Sequence, residues 1–65
     1  MISKIVILKS SEISEDELIN NKFKKEEGYW VRRPSGYSAM DLPAWKAFLK
    51  VQWNLNCEDY SITVK

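Results

Sequence analysis

The pattern of hydrophobic positions along the chain changes period four times and so divides it into five elements. Residues 2–9 carry Ile2, Ile5, Val6, Ile7 and Leu8 with almost no alternation. A short continuous apolar run of this kind predicts a strand covered on both faces, hence a central one. A helix is predicted to follow over 11–25. Ser14 and Glu17 have the spacing of a capping box, with Ile13 and Leu18 as its hydrophobic staple. Glu15, Asp16 and Glu17 sit where the helix dipole favours negative charge, and Lys22, Lys24 and Lys25 where it favours positive charge. The longer helix is preferred. The alternative is a stop at Asn20-Asn21, with Phe23-Lys24-Lys25 extended and hairpinned across Glu26-Glu27-Gly28 to the next strand.

Tyr29 to Arg33 alternates aromatic, β-branched and basic residues and predicts a second strand. Tyr29, Val31 and Arg33 would face one side, Trp30 and Arg32 the other. Pro34 ends it, because proline cannot donate to a ladder, and Pro34 to Met40 reads as a loop. Asp41 caps a second helix that carries Pro43 in its first turn and runs to about Leu55, with Asn54 and Asn56 as terminators. Residues 59–64 form a last strand with Tyr60, Ile62 and Val64 on one face and Ser61 and Thr63 on the other, the pattern of an edge. The expected fold is therefore α/β or α+β. A small three-stranded sheet carries two helices in the order β-α-β-α-β, with right-handed crossovers and the first strand central.

The second helix carries more apolar surface than one sheet contact needs. Leu42, Trp45, Leu49 and Trp53 fall within an arc of about 80°, and Ala44, Ala47, Phe48, Val51 and Leu55 within a roughly opposite arc of about 100°. The small-residue stripe would suit close approach to the sheet. The aromatic stripe is then either covered by the first helix and the loop, or offered in part to a partner.

Length limits what else the chain can be. Its 65 residues make a single domain over 1–65, and a core of that size supplies only about 3–5 kcal/mol unless something supplements it. Cys57 is the only cysteine and there is no histidine, so neither an intrachain disulfide nor the usual four-ligand zinc site can be built. That leaves good packing or association. The cysteine usage, with no long apolar segment and no signal-peptide pattern, points to a cytoplasmic protein with no membrane span.

Conventional catalysis lacks its parts. The commonest general base is missing, and Cys57 has acidic neighbours, Glu58 and Asp59, that would raise its pKa. It reads as a buried or half-buried structural thiol. Gly28 and Gly36 are the only glycines and form no phosphate-binding loop. No enzyme activity, cofactor or metal is expected.

Net charge is +1, with the first third acidic and residues 22–50 mildly basic. The basic stretch overlaps the aromatic one, and Ser-Gly-Tyr segments such as Ser35 to Tyr37 suit adaptable binding loops. The function expected is a non-catalytic protein-binding module that modulates or inhibits a larger partner, of the kind small phage accessory proteins provide. Its candidate contact residues are Trp30, Arg32, Arg33, Tyr37, Trp45 and Trp53. One alternative is a nucleic-acid-binding regulator using segment 22–37, with rings for bases and cations for phosphates. A further one is a homo-oligomeric structural subunit joined through the helix stripe.

Overall fold

A computed structural model describes residues 2–34 and 41–64. In chain order these form β1 (Ile2–Ile7), α1 (Glu15–Asn20), β2 (Lys24–Glu26), β3 (Tyr29–Arg32), α2 (Leu42–Trp53) and, after a 3-10 turn at Cys57–Asp59, β4 (Tyr60–Val64). The strands make one sheet in the order β2-β3-β1-β4, with every neighbouring pair antiparallel. The class is α+β, and β1 is an inner strand as expected. One detail differs from the sequence reading: there are four strands among the described residues. Both helices make crossovers, α1 joining the parallel strands β1 and β2 across β3, and α2 joining the parallel strands β3 and β4 across β1.

The added strand comes from where α1 stops. It begins as predicted, with the Ser14 hydroxyl accepting from the Glu17 amide. Only half of the expected box forms, because the Glu17 carboxylate accepts instead from Gln52 of α2 at 2.7 Å. The helix then ends after six residues. The Asn21 side chain bonds back to the Glu17 carbonyl, Lys22 turns left-handed at φ 67°, and the Phe23 amide reaches the Leu18 carbonyl. This is a Schellman ending with lysine where glycine is usual. It drops Phe23 into the core and frees Lys24–Glu26 to pair with Tyr29–Arg32 as a hairpin. The two linking residues, Glu27 and Gly28, both have positive φ, as a two-residue hairpin loop requires. A lysine held in the left-handed region is strained relative to glycine. Lys22→Gly is therefore expected to add about 1 kcal/mol, raising the melting temperature by roughly 4–8 °C for a chain of this size. A lower melting temperature would show that the Lys22 side chain matters more than its backbone.

The core lies on one side of the sheet. Ile2, Ile5 and Ile7 of β1, Trp30 of β3 and Tyr60 of β4 meet Leu18, Phe23, Trp45, Leu49 and Leu55. Ile2 shares that side despite its even number because the register with β4 slips between Ile2 and Lys4. Such an irregularity shifts the side-chain phase by one residue. It accounts for Ile2 alone. In the run Ile5 to Leu8 the faces alternate regularly, with Val6 half-buried on the side away from the core and Leu8 exposed, so the run does not mean helix cover on both faces.

On α2 the two stripes are placed opposite to expectation. Asp41 caps as predicted, accepting from the Ala44 amide, and Asn54 closes the helix in the left-handed conformation. The aromatic stripe turns inward: Trp45 is 1% exposed, Leu49 is buried, and Leu42 and Trp53 are half-buried. Ala47 and Val51 of the small-residue stripe face out, Val51 at 86%. Bulk decides this. With so few elements to fill the space, large rings occupy more of it than alanines do. Phe48 leaves its own stripe to join the rings, and Phe23, Trp53, Phe48 and Trp45 form a chain of edge-to-face contacts with centroids 5.5–5.7 Å apart. Such pairs stabilise beyond the area they bury. The indole N–H groups of Trp45 and Trp53 are buried and find no acceptor among the described residues.

Candidate functional site

Residues directly opposite on neighbouring strands point to the same side of a sheet, so the register assigns both faces. The side away from the core carries a row running across all four strands, Lys24-Val31-Val6-Ser61. Glu26 pairs with Tyr29 on one side of this row, and Lys4 with Thr63 on the other. Arg33, following β3, continues the alternation of Tyr29 and Val31 onto the same face. The residues named for the core all lie on the other side, so no described helix covers this one.

The helix-free face has an apolar centre and a charged surround. Tyr29 is 48% exposed and Val6 half-buried, while Val31 is only 6% exposed without a helix above it. Lys24 and Arg33 flank Val31, and their aliphatic stems can shield an apolar neighbour while their charges stay wet. Arg33 donates to the Glu26 carboxylate, which this bond holds below its usual pKa. Both partners are exposed, so the pair fixes geometry more than it stabilises. Among the described residues Lys4 and Lys24 have no such partner on the face, which leaves its described part net basic. Two shallow depressions, of about 360 and 210 Å³, share Glu26, Val31 and Arg33 in their walls. Both are open and charge-lined, unlike the concave, mostly apolar sites that hold small molecules. Beside Trp53, Ile13 and Leu55 a cleft of about 40 Å³ has room for little more than a few waters.

The residues singled out from sequence are divided by this architecture. Trp30 lies on the core face at 7% exposure, with the Lys25 ammonium 5.3 Å from its ring centroid. Arg32 lies on the same side. Its guanidinium sits 4.9 Å above the Trp45 ring and donates to the Asn21 carbonyl at 2.9 Å, tying β3 to the end of α1. Burial lowers the Arg32 pKa, although a guanidinium stays protonated in proteins. Trp30, Arg32 and Trp45 are thus brought together as interior packing, with Trp53 at its margin. Only Arg33 reaches the helix-free face, and Tyr37 lies outside the described residues. Tyr29, Val6, Val31, Lys4 and Lys24 were not singled out. The β3 alternation separated Tyr29, Val31 and Arg33 from Trp30 and Arg32, but it carried no sign of which set turns inward.

Cys57 is exposed, not buried as its sequence context suggested. It opens the 3-10 turn whose amide at Asn56 donates to the Asp59 carboxylate at 2.8 Å. Burial, and secondarily the neighbouring Cys57, raise the pKa of the Tyr60 phenol. Among the described residues no group of three or more histidine, cysteine or carboxylate side chains is placed to hold a metal. No described helix is long and apolar enough to cross a membrane. The chain matches no protein-family model, no curated protein and no solved structure.

Proposed function

We propose that this chain is a non-catalytic protein-binding module that docks through its helix-free sheet face and thereby modulates or inhibits a larger partner. The observation that carries the reading is the half-exposed Tyr29 beside Val6 and Val31, within a surround of Lys4, Lys24 and Arg33. An apolar, aromatic centre inside a polar rim is the usual anatomy of a protein interface, and tyrosine and arginine are enriched at its strongest points. The unpaired lysines select an acidic surface on the partner.

Nucleic acid fits this face less well. Binding to single strands uses successive rings and free cations. Here Tyr29 is the one ring on the face among the described residues, Arg33 is engaged by Glu26, and Trp30 and Arg32 turn toward the core. The test is capture from host extract by the tagged wild type and by Tyr29→Ala, Lys24→Glu and Val51→Glu variants of matched melting temperature. A protein held by the wild type and by Val51→Glu is expected to be lost from the other two. Tyr29→Ala should cost about 2 kcal/mol, roughly thirty-fold in affinity. Equal capture by all four proteins removes this face from the site. Capture abolished by nuclease replaces the reading with the nucleic-acid one.

A further inference from the structure

We propose that β4 joins β4 of a second copy of this chain, extending the four-stranded sheet across a twofold axis. This surface is separate from the helix-free face. It also differs from the helix-stripe association given as an alternative from sequence, since Trp45 and Leu49 of that stripe are buried and Leu42 and Trp53 half-buried.

The two sheet edges are unlike. The β2 edge reads Lys24-Lys25-Glu26, and charge on an edge is a common device against further pairing. The β4 edge reads Tyr60-Ser61-Ile62-Thr63-Val64, with no charge, no proline and three β-branched residues. Its outward hydrogen-bonding groups follow from the ladder. The Leu8 amide donates to the Asp59 carbonyl, and bonded pairs recur at every second residue of an antiparallel ladder. Given the register Val6 to Ser61 and Lys4 to Thr63, Ser61 and Thr63 turn their backbone groups toward β1. Tyr60, Ile62 and Val64 turn theirs away from the sheet, where no strand among the described residues answers them.

That row is complementary to itself. Two antiparallel copies centred on Ile62 set Ile62 against Ile62 and Tyr60 against Val64, each a hydrogen-bonded pair. Ser61 then meets Thr63 on the helix-free side, a favourable cross-strand pair, while Tyr60 keeps its ring in its own core and offers its backbone. Val64, 53% exposed in the single chain, gains a neighbour. Charge agrees with the same arrangement. Glu58 and Asp59 lead into the strand, while Lys4 stands on β1 beside its far end. Antiparallel joining brings the acidic end of each copy toward the basic end of the other. Five residues of edge give an interface at the low end of specific ones, under about 1,200 Å², so the dimer is concentration-dependent.

The test reads both mass and register. Sedimentation velocity of the full chain from about 10 µM to about 1 mM, the range expected of a weak interface, should show mass rising toward two chains. Over the same range, amide exchange at Ile62 and Val64 should slow with concentration, while Ser61 and Thr63 are protected throughout. Ser61 and Thr63 are exposed, so substitutions there leave the core alone. Ser61→Lys with Thr63→Lys opposes like charges twice across the axis and should weaken association about ten-fold. Ser61→Lys with Thr63→Glu opposes unlike charges and should strengthen it. A mass of one chain at every concentration overturns the proposal. So does a dimer in which the Ile62 amide is unaffected. If the double-lysine variant fails to fold, the charge-pair variant and wild-type exchange still decide.

Discussion

Purified Trp45→Ala protein is expected to show the far-ultraviolet spectrum and urea response of an unfolded chain at room temperature. Trp45 is the largest fully buried side chain, and it touches both the ring cluster and Arg32. Removing a buried tryptophan costs about 3–5 kcal/mol, through lost transfer energy and the cavity left behind. A core from so short a chain supplies about the same amount in total. Val51→Ala on the same helix is 86% exposed, and a surface change of that kind should stay within about 0.5 kcal/mol. Trp45→Phe should fall between: it leaves a smaller cavity and also deletes an N–H that has no acceptor among the described residues. Cooperative melting of Trp45→Ala within a few degrees of wild type would mean that stability comes from somewhere other than this ring cluster.

Arg32→Ala should have the second-largest effect, and its neighbour provides the control. Arg32 donates to the Asn21 carbonyl and lies over Trp45, so truncation removes a charge-assisted bond and a cation–π contact. These contribute about 1.5–3 and about 0.5–2 kcal/mol respectively, and overlap between them suggests a combined loss of about 2–3 kcal/mol. Arg32→Lys should recover little, because a lysine ammonium cannot both stack flat on the ring and reach the carbonyl. Arg33→Ala removes only the exposed pair with Glu26 and should change the melting temperature by no more than a few degrees. Equal losses at both arginines, read from thermal melts, would contradict the division of labour described above.

The difference between these adjacent arginines shows where sequence reading runs out. Local chemistry was legible wherever one residue decides the local geometry. Ser14 and Asp41 start their helices, Asn54 ends the second, and the alternation of β4 is plain. The end of α1 was not, because its left-handed residue is a lysine and not a glycine. The Phe23 contact that favours this turn lies with Trp53, thirty residues away in the chain. The hairpin was visible only as an alternative, since Glu27 stands where asparagine would have signalled the turn. Periodicity found two stripes on α2 and two faces on β3, and was silent on which of each turns inward. That choice depends on how rings from distant segments fill one volume, so the basic and aromatic residues of segment 29–33 ended on opposite sides of the sheet.

The unlike borders of the sheet also bear on how this protein behaves at high concentration. A small sheet with two sticky margins could grow without limit into fibrils. Here a lysine-rich margin lies on one flank and a neutral one on the other. Any strand accepted at the neutral flank leaves only repelling margins outside, provided the newcomer is another copy. Assembly then stops at a pair, and crowding should favour a closed particle over a filament.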